Sequence, residues 1–108
     1  MKILTEPTIE ISIYMAGDLD TVRDTCRRYC WEKGFCVTVT ENEFIYTGGS
    51  EAGVRIGIVH YPRFPSTEKE LMDKAQELAI AMIEACCQWT ALIVGPKETL
   101  WLTRREEV

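Results

Sequence analysis

Residues 35–58 read FCVTVTENEFIYTGGSEAGVRIGI, and they decide how many strands the chain contributes to a sheet. Apolar and polar residues alternate on both sides of Glu41-Asn42, and a period of two is typical of strands with one buried face. The Glu41-Asn42 pair is predicted to form a tight turn and Gly48–Gly53 a loop, because Asn and Gly favour turns. The stretch therefore predicts three short strands, Phe35–Thr40, Glu43–Thr47 and Val54–Ile58.

A strand and a helix precede this stretch. Apolar residues at every second position predict a strand over Ile9–Met15. Asp18 can cap a helix N-terminus, and apolar residues then follow at helical spacing. Gly34 stands where a left-handed C-terminal cap is needed, so the helix is predicted over Asp18–Lys33.

A second helix and a hairpin follow it. Thr67 and Glu70 have the spacing of a capping box, which predicts the start of a long amphipathic helix over Thr67–Cys87. The remaining pattern predicts a strand over Ala91–Val94, a turn over Gly95–Glu98 and a strand over Thr99–Thr103.

The same order of elements occurs in both halves of the chain. Residues 8–48 and 53–105 each read as strand, helix, strand, turn, strand. We therefore expect a single α+β domain over residues 1–108: a two-layer sandwich from a duplicated β-α-β-β unit, with a six-stranded, largely antiparallel sheet and two helices on one face. The alternative is a ferredoxin-like sheet with an added hairpin.

The face of the sheet away from the helices is predicted to differ between the two hairpins. In the second hairpin Val94 should oppose Thr99, and Leu92 should oppose Trp101. Leu92, Val94 and Trp101 would then form an uncovered apolar patch, which predicts an interface with a partner or a homodimer seam. In the first hairpin the corresponding face is predicted to be polar, with Thr38, Thr40, Glu43 and Thr47.

Composition and charge exclude several classes of protein. The chain has 108 residues, with 12 Lys+Arg against 17 Asp+Glu and a net charge of −5. This acidity argues against direct binding of nucleic acid, which requires a cationic surface. There is no apolar run long enough for a membrane span and no signal peptide, which predicts a cytoplasmic protein.

The cysteines and the single histidine bear on chemistry. Five cysteines without a Cys-x-x-Cys motif, together with one histidine, predict no metal site, and no cofactor is expected. Cys26, Cys30 and Cys86 are predicted to lie on apolar helix faces and to react slowly. Because no nucleophile–base pair is recognisable, the sequence predicts a protein that is not an enzyme.

Two segments are candidate binding sites. Consecutive glycines in the loop Tyr46, Thr47, Gly48 and Gly49 could present backbone N–H groups to an anion, although a flexible turn is the alternative. The elbow His60, Tyr61, Arg63 and Phe64 joins a strand to a helix start and offers rings and a guanidinium. There the alternative is a purely structural elbow.

Several short strings resemble a family when they are taken together: Met15-Ala16-Gly17-Asp18, Cys36-Val37-Thr38-Val39-Thr40, Tyr46-Thr47-Gly48-Gly49, Gly53-Val54 and Tyr61-Pro62-Arg63-Phe64-Pro65. In this order they resemble small accessory proteins of tailed bacteriophages and prophages, a family that carries no activity to transfer. The resemblance implies an accessory phage protein that acts in the host bacterial cytoplasm. We therefore expect an anti-defence inhibitor that binds a host or bacterial defence protein. The alternative is sequestration of a small anionic, nucleotide-like ligand.

Overall fold

The computed structural model describes residues 1–107, which form one antiparallel sheet and two helices. The elements are β1 (Ile11–Ala16), α1 (Leu19–Lys33), β2 (Val37–Tyr46), β3 (Gly49–Ile58), α2 (Glu68–Ala85), β4 (Thr90–Val94) and β5 (Thr99–Thr103). The strand order is β2-β3-β1-β4-β5, so the first strand lies at the centre of the sheet. The α+β class is confirmed.

The predicted count of six strands is wrong, because two of the predicted strands are one. β2 runs without interruption through the predicted turn, with Glu41 paired to Val54 and Asn42 paired to Gly53. The chain reverses later, between Tyr46 and Gly49, where Gly48 has a φ of 90°. Glycine adopts positive φ without the steric cost that other residues incur, so the reversal occurs at Gly48.

The predicted loop Gly48–Gly53 is wrong for the same reason. All but its first residue belong to β3, which pairs with β2 along its whole length. The register also corrects the predicted polar face. Thr38 and Thr40 do lie away from the helices, but Glu43 points to the helix side and Thr47 lies in the turn.

Both helices begin where the sequence predicts, and α1 also ends there, because these caps are local signals. In contrast, α2 ends at Ala85, two residues before the predicted end at Cys87. The Asp18 carboxylate accepts a hydrogen bond of 3.0 Å from the Thr21 backbone N–H, and Gly34 closes α1 with a φ of 68°. At the start of α2, Thr67 and Glu70 form the reciprocal bonds of a capping box.

The two helices pack on each other and on the same face of the sheet, and a single hydrophobic core lies between the layers. The Tyr29 hydroxyl on α1 donates a 2.7 Å hydrogen bond to the Glu77 carboxylate on α2. The largest fully buried side chains come from both layers: Ile11, Ile13, Ile56, Leu78, Met82, Ile93, Val22 and Val54.

The other face of the sheet is not covered by either helix. Val94 pairs with Thr99 and Leu92 with Trp101, as the sequence predicts, so Leu92, Val94 and Trp101 lie on this open face. The β2–β3 hairpin extends beyond the rest of the sheet, because β1 pairs only with Gly53–Ile58 of β3. Within residues 1–107, neither helix is long and apolar enough to cross a membrane.

Candidate functional site

A pocket of about 450 Å³ opens on the uncovered face of the sheet. Its walls come from β1, both hairpins, the segment before β4 and the segment after β5. The side chains that give it chemical character are Tyr14, Phe44, Glu51, Trp89, Trp101 and Arg105. We call it the open-face pocket.

Strand pairing brings these side chains together. Tyr14 in the central strand lies opposite Leu92, which in turn lies opposite Trp101. On the other side of β1, Phe44 and Glu51 oppose each other in the β2–β3 hairpin. Alternate residues of a strand share a face, so these residues line the same side of the sheet.

A glycine makes room for one wall of the pocket. The Phe44 ring lies over Gly53 and meets Tyr14 edge to face, with ring centroids 6.4 Å apart. A Cβ at position 53 would collide with the Phe44 ring and would lie 2.7 Å from the carbonyl oxygen of Met15. A side chain at this position would therefore displace the aromatic wall.

The segment after β5 closes another side of the pocket. The Arg104 backbone N–H donates to the carbonyl oxygen of Trp89 at 2.9 Å, and the Arg105 N–H donates to the Thr103 hydroxyl at 3.0 Å. These two bonds hold the segment beside Trp89, so that Arg105 lines the pocket.

The pocket combines aromatic faces with two charges of opposite sign, neither of which has an ion-pair partner within residues 1–107. Trp89 is 59% exposed and Trp101 is 51% exposed, so both indole rings are accessible to a ligand. The ion pairs in the described part of the chain are Arg27–Asp24, Lys69–Asp73 and Lys97–Glu68, so Glu51 and Arg105 are both unpaired. Aromatic faces beside a carboxylate are suited to binding a flat ring and a positive charge.

The predicted glycine loop lies at the tip of the long hairpin. Tyr46 ends β2, Thr47 and Gly48 form the turn, and Gly49 begins β3. The elbow begins beyond the other end of β3, so the two predicted segments are separated by about 30 Å, the length of a ten-residue strand. They do not converge on one pocket, and the anion-binding role of the loop stays a prediction.

The predicted elbow borders a second cleft, of about 420 Å³, which we call the elbow cleft. His60, Tyr61 and Phe64 line it, whereas Arg63 lies outside the lining with its guanidinium carbon 5.4 Å from the centre of the Phe64 ring. Part of the predicted site is thus assembled in the structure, without its arginine.

The residues of the predicted interface divide between two places. Leu92 and Trp101 line the open-face pocket, whereas Val94 borders a separate depression beside Glu10 and Ser12. Their role as a homodimer seam stays a prediction. The sequence interpretation missed Tyr14, Phe44, Glu51 and Trp89. The correct β2–β3 register would have paired Phe44 with Glu51, whereas the place of Tyr14 depends on the strand order.

The thiols lie away from the open-face pocket. Burial raises the pKa of Cys26 to about 12, and burial also raises the pKa of Cys30 and of Cys86. Cys36 and Cys87 are exposed. Among residues 1–107, no three His, Cys, Asp or Glu side chains are arranged to hold a metal ion.

Comparison with known proteins identifies the fold. No protein-family model and no curated protein matches the chain. Two solved structures do match: a phage SAM lyase in complex with S-methyl-5'-thioadenosine, at 15% identity, and a phage SAM lyase in the apo state, at 18% identity. Each aligns with a TM-score of 0.75 over 100% of this chain and 98% of the other. At this identity the likeness establishes the fold.

These neighbours contradict the prediction of a non-enzymatic protein, whether as an inhibitor or as a protein that sequesters a ligand. The two matching structures are of phage SAM lyases, which are enzymes, and one holds a small nucleoside-like molecule. Their phage origin agrees with the resemblance of the short strings, but no comparison supports an accessory role. The prediction relied on the absence of a nucleophile–base pair, a criterion that misses enzymes acting by binding and orientation.

Proposed function

We propose that this protein is a lyase that cleaves S-adenosylmethionine and releases S-methyl-5'-thioadenosine, with the open-face pocket as its active site. The observation that carries the proposal is the full-length likeness to a phage SAM lyase. A phage enzyme of this kind would act in the cytoplasm of the infected bacterium, where the substrate is made.

The size and chemistry of the open-face pocket support this substrate. Its volume of about 450 Å³ lies within the usual range for small-molecule sites, about 300–1,000 Å³. The exposed faces of Trp89 and Trp101 offer stacking surfaces for an adenine ring. Aromatic faces also attract cations, and the substrate carries a sulfonium.

The charge of the protein also suits this substrate. S-adenosylmethionine has a sulfonium, an ammonium and one carboxylate, so it is a net cation. The chain has a net charge of −5, which favours the approach of cations. Inside the pocket, the unpaired Glu51 carboxylate would bind the ammonium group of the substrate. The ammonium keeps its charge when the substrate becomes product, so this contact would hold throughout the reaction.

The cleavage balances without an added base or nucleophile. An oxygen of the substrate carboxylate forms a bond to the Cγ atom of the same molecule, the Cγ–S bond breaks, and its electron pair remains on sulfur. The products are the neutral thioether S-methyl-5'-thioadenosine and the lactone of homoserine, and no proton is transferred. A site without a nucleophile–base pair is therefore compatible with this reaction.

The aromatic walls of the pocket would make the cleavage faster than it is in water. The attacking carboxylate and the leaving sulfonium have opposite charges that cancel in the transition state, so an environment with little water favours that state. The Phe44, Tyr14 and tryptophan rings would exclude water from the reacting atoms, while Glu51 holds the chain that carries the carboxylate. The main requirement for catalysis is that the pocket orients the substrate carboxylate toward the Cγ atom of the same molecule.

The direct test is incubation with S-adenosylmethionine and detection of both products by mass spectrometry, with a protein-free incubation as the baseline. We expect Glu51→Gln to lower kcat/KM by about 10- to 100-fold, the effect of losing a hydrogen bond between charged groups. Glu43→Gln is the matched control, since Glu43 lies in the same hairpin on the opposite face.

Two results would contradict the proposal. A rate of product formation equal to the protein-free baseline would exclude the activity. If Glu51→Gln and Glu43→Gln lowered kcat/KM equally, the open-face pocket would not be the active site. The proposed cleavage of S-adenosylmethionine would remain supported in that case.

A further inference from the structure

The elbow cleft is a second preformed cavity, and it lies on a different part of the molecule from the open-face pocket. It is bounded by the residues that follow α1, the end of β3, the elbow and the first half of α2. Its walls are largely aromatic and aliphatic: Phe35, Tyr61, Phe64 and Leu71. It shares no lining residue with the open-face pocket.

Lys74 brings a positive charge to this apolar cavity. Its ammonium nitrogen lies 5.6 Å from the centre of the Phe35 ring, on the cleft wall. Within residues 1–107 its one hydrogen bond is to the carbonyl oxygen of Gly34 at 3.5 Å, the outer limit of such a bond. None of the ion pairs in residues 1–107 includes Lys74.

The carboxylates one helical turn away from Lys74 along α2 are engaged elsewhere. Glu70, one turn before Lys74, is bonded to the backbone N–H and the hydroxyl of Thr67 in the capping box. Glu77, one turn after it, accepts the hydrogen bond from Tyr29. The ammonium of Lys74 is therefore available to an anion that enters the cleft.

The opposite wall is held in place by hydrogen bonds. The Nε2 atom of His60 accepts a bond of 3.3 Å from the Ser66 backbone N–H, and its Nδ1 lies 3.0 Å from the carbonyl oxygen of Pro7. His60 thus fixes the elbow to the segment before β1. Because the walls of the cleft are already ordered before binding, the protein loses less conformational entropy when a ligand enters.

We propose that the elbow cleft binds a small aromatic anion, with its ring among Phe35, Tyr61 and Phe64 and its carboxylate or sulfonate on the ammonium of Lys74. The pairing of one cation with an aromatic cavity selects this class of ligand over neutral aromatics and over cations. S-adenosylmethionine, a net cation, does not belong to this class of ligand. The inference is independent of the proposed lyase activity.

The probe is 8-anilino-1-naphthalenesulfonate, an aromatic anion whose fluorescence reports binding, and N-phenyl-1-naphthylamine is its neutral counterpart. We expect one site for the sulfonate and at least about tenfold weaker binding of the neutral probe, since a charge-assisted hydrogen bond from Lys74 is stronger than a contact between neutral groups. Lys74→Met and Phe64→Ala should each weaken sulfonate binding by about fivefold or more. Lys69→Met is the control on the same helix, where the lysine is exposed and paired with Asp73.

A second measurement does not depend on a change at Lys74. Cys36 lines the elbow cleft, and in a Cys87→Ser background it is the one fully exposed thiol left in residues 1–107, since Cys30 and Cys86 are partly buried. The sulfonate should slow the reaction of Cys36 with a maleimide in proportion to the fraction of protein molecules whose elbow cleft it occupies. The protection should therefore be greatest at saturating sulfonate. Trp101→Ala, which alters only the open-face pocket, should leave both the binding and the protection unchanged.

The proposal is overturned if Lys74→Met binds the sulfonate as tightly as the unaltered chain, if the neutral probe binds equally well, or if Cys36 is not protected. Binding that is lost in Trp101→Ala would also overturn it, because the probe would then occupy the open-face pocket.

Discussion

The two hairpins of the sheet build opposite walls of the open-face pocket, yet they differ in how directly the sequence reveals them. The β4–β5 hairpin has strands of five residues, and its pairing of Leu92 with Trp101 follows from a turn at Gly95–Glu98. The β2–β3 hairpin has strands of ten residues and turns at Gly48, not at the polar pair Glu41-Asn42. In the long hairpin, a backbone requirement for positive φ locates the turn better than residue polarity does.

Gly53→Val should show the largest effect, because it acts where the long hairpin meets the central strand. The new Cβ would lie 2.7 Å from the backbone oxygen of Met15 and would strike the Phe44 ring. We expect a loss of about 3 kcal/mol in the free energy of unfolding, as for severe overpacking. Urea denaturation measures it, with exposed Ala52→Val as the neighbouring control. Equal midpoints for the two variants would mean that Phe44 does not lie over Gly53.

Gly48→Ala tests the position of the turn in the long hairpin. Gly48 has a φ of 90°, a conformation that costs other residues about 1–2 kcal/mol, and we expect a destabilisation of that size. Gly49→Ala is the matched control, because Gly49 is not among the glycines with positive φ. The measurement is the Tm of both variants in thermal unfolding. A lower Tm for Gly49→Ala than for Gly48→Ala would mean that the chain does not turn at Gly48.

Asn42→Gly should have the smallest effect, and its sign distinguishes the two hairpin arrangements. If Glu41-Asn42 were a turn, glycine would be neutral or stabilising there. Inside a continuous strand it should cost about 0.5–1 kcal/mol through the entropy of the unfolded chain. Chemical denaturation at fixed m-value resolves a difference of this size, and an increase in stability would restore the six-stranded interpretation.

Local signals explain what could be predicted. The two helix starts depend on the side chains of Asp18 and Thr67, which bond to backbone only three residues away. The short hairpin depends on alternation over five residues on each side of one turn. These features are encoded within a few positions, so the sequence was sufficient for them.

The missed strand has a physical cause in the burial of β2. In its first half Val37 and Val39 face the helices, whereas in its second half Asn42 and Phe44 are the partly buried residues on the other side. On that side the Phe44 ring packs over Gly53 and against Tyr14. The alternation of apolar and polar residues therefore shifts by one position at Glu41-Asn42. In the sequence this shift resembles a turn, although the strand continues through both residues.

The open-face pocket could not be located from the sequence, because the strand order creates it. Glu51 and Trp101 reach the same pocket only because β1 lies between the two hairpins. The sequence pattern does not determine which strand takes the central place. The elbow was easier to recognise, since His60, Tyr61 and Phe64 are close in the chain, but its cation, Lys74, comes from α2.

The central position of β1 also governs how the chain folds. Each hairpin closes a short loop, but β1 must join residues far apart: Tyr14 pairs with Arg55 across about 40 residues and Ser12 with Val94 across about 80. Such distant pairings are typical of slow folding, since the entropy of loop closure is lost before the contacts form. We therefore expect the hairpins to form early and β1 to dock between them late. The open-face pocket, with a wall from each hairpin, exists only after that step.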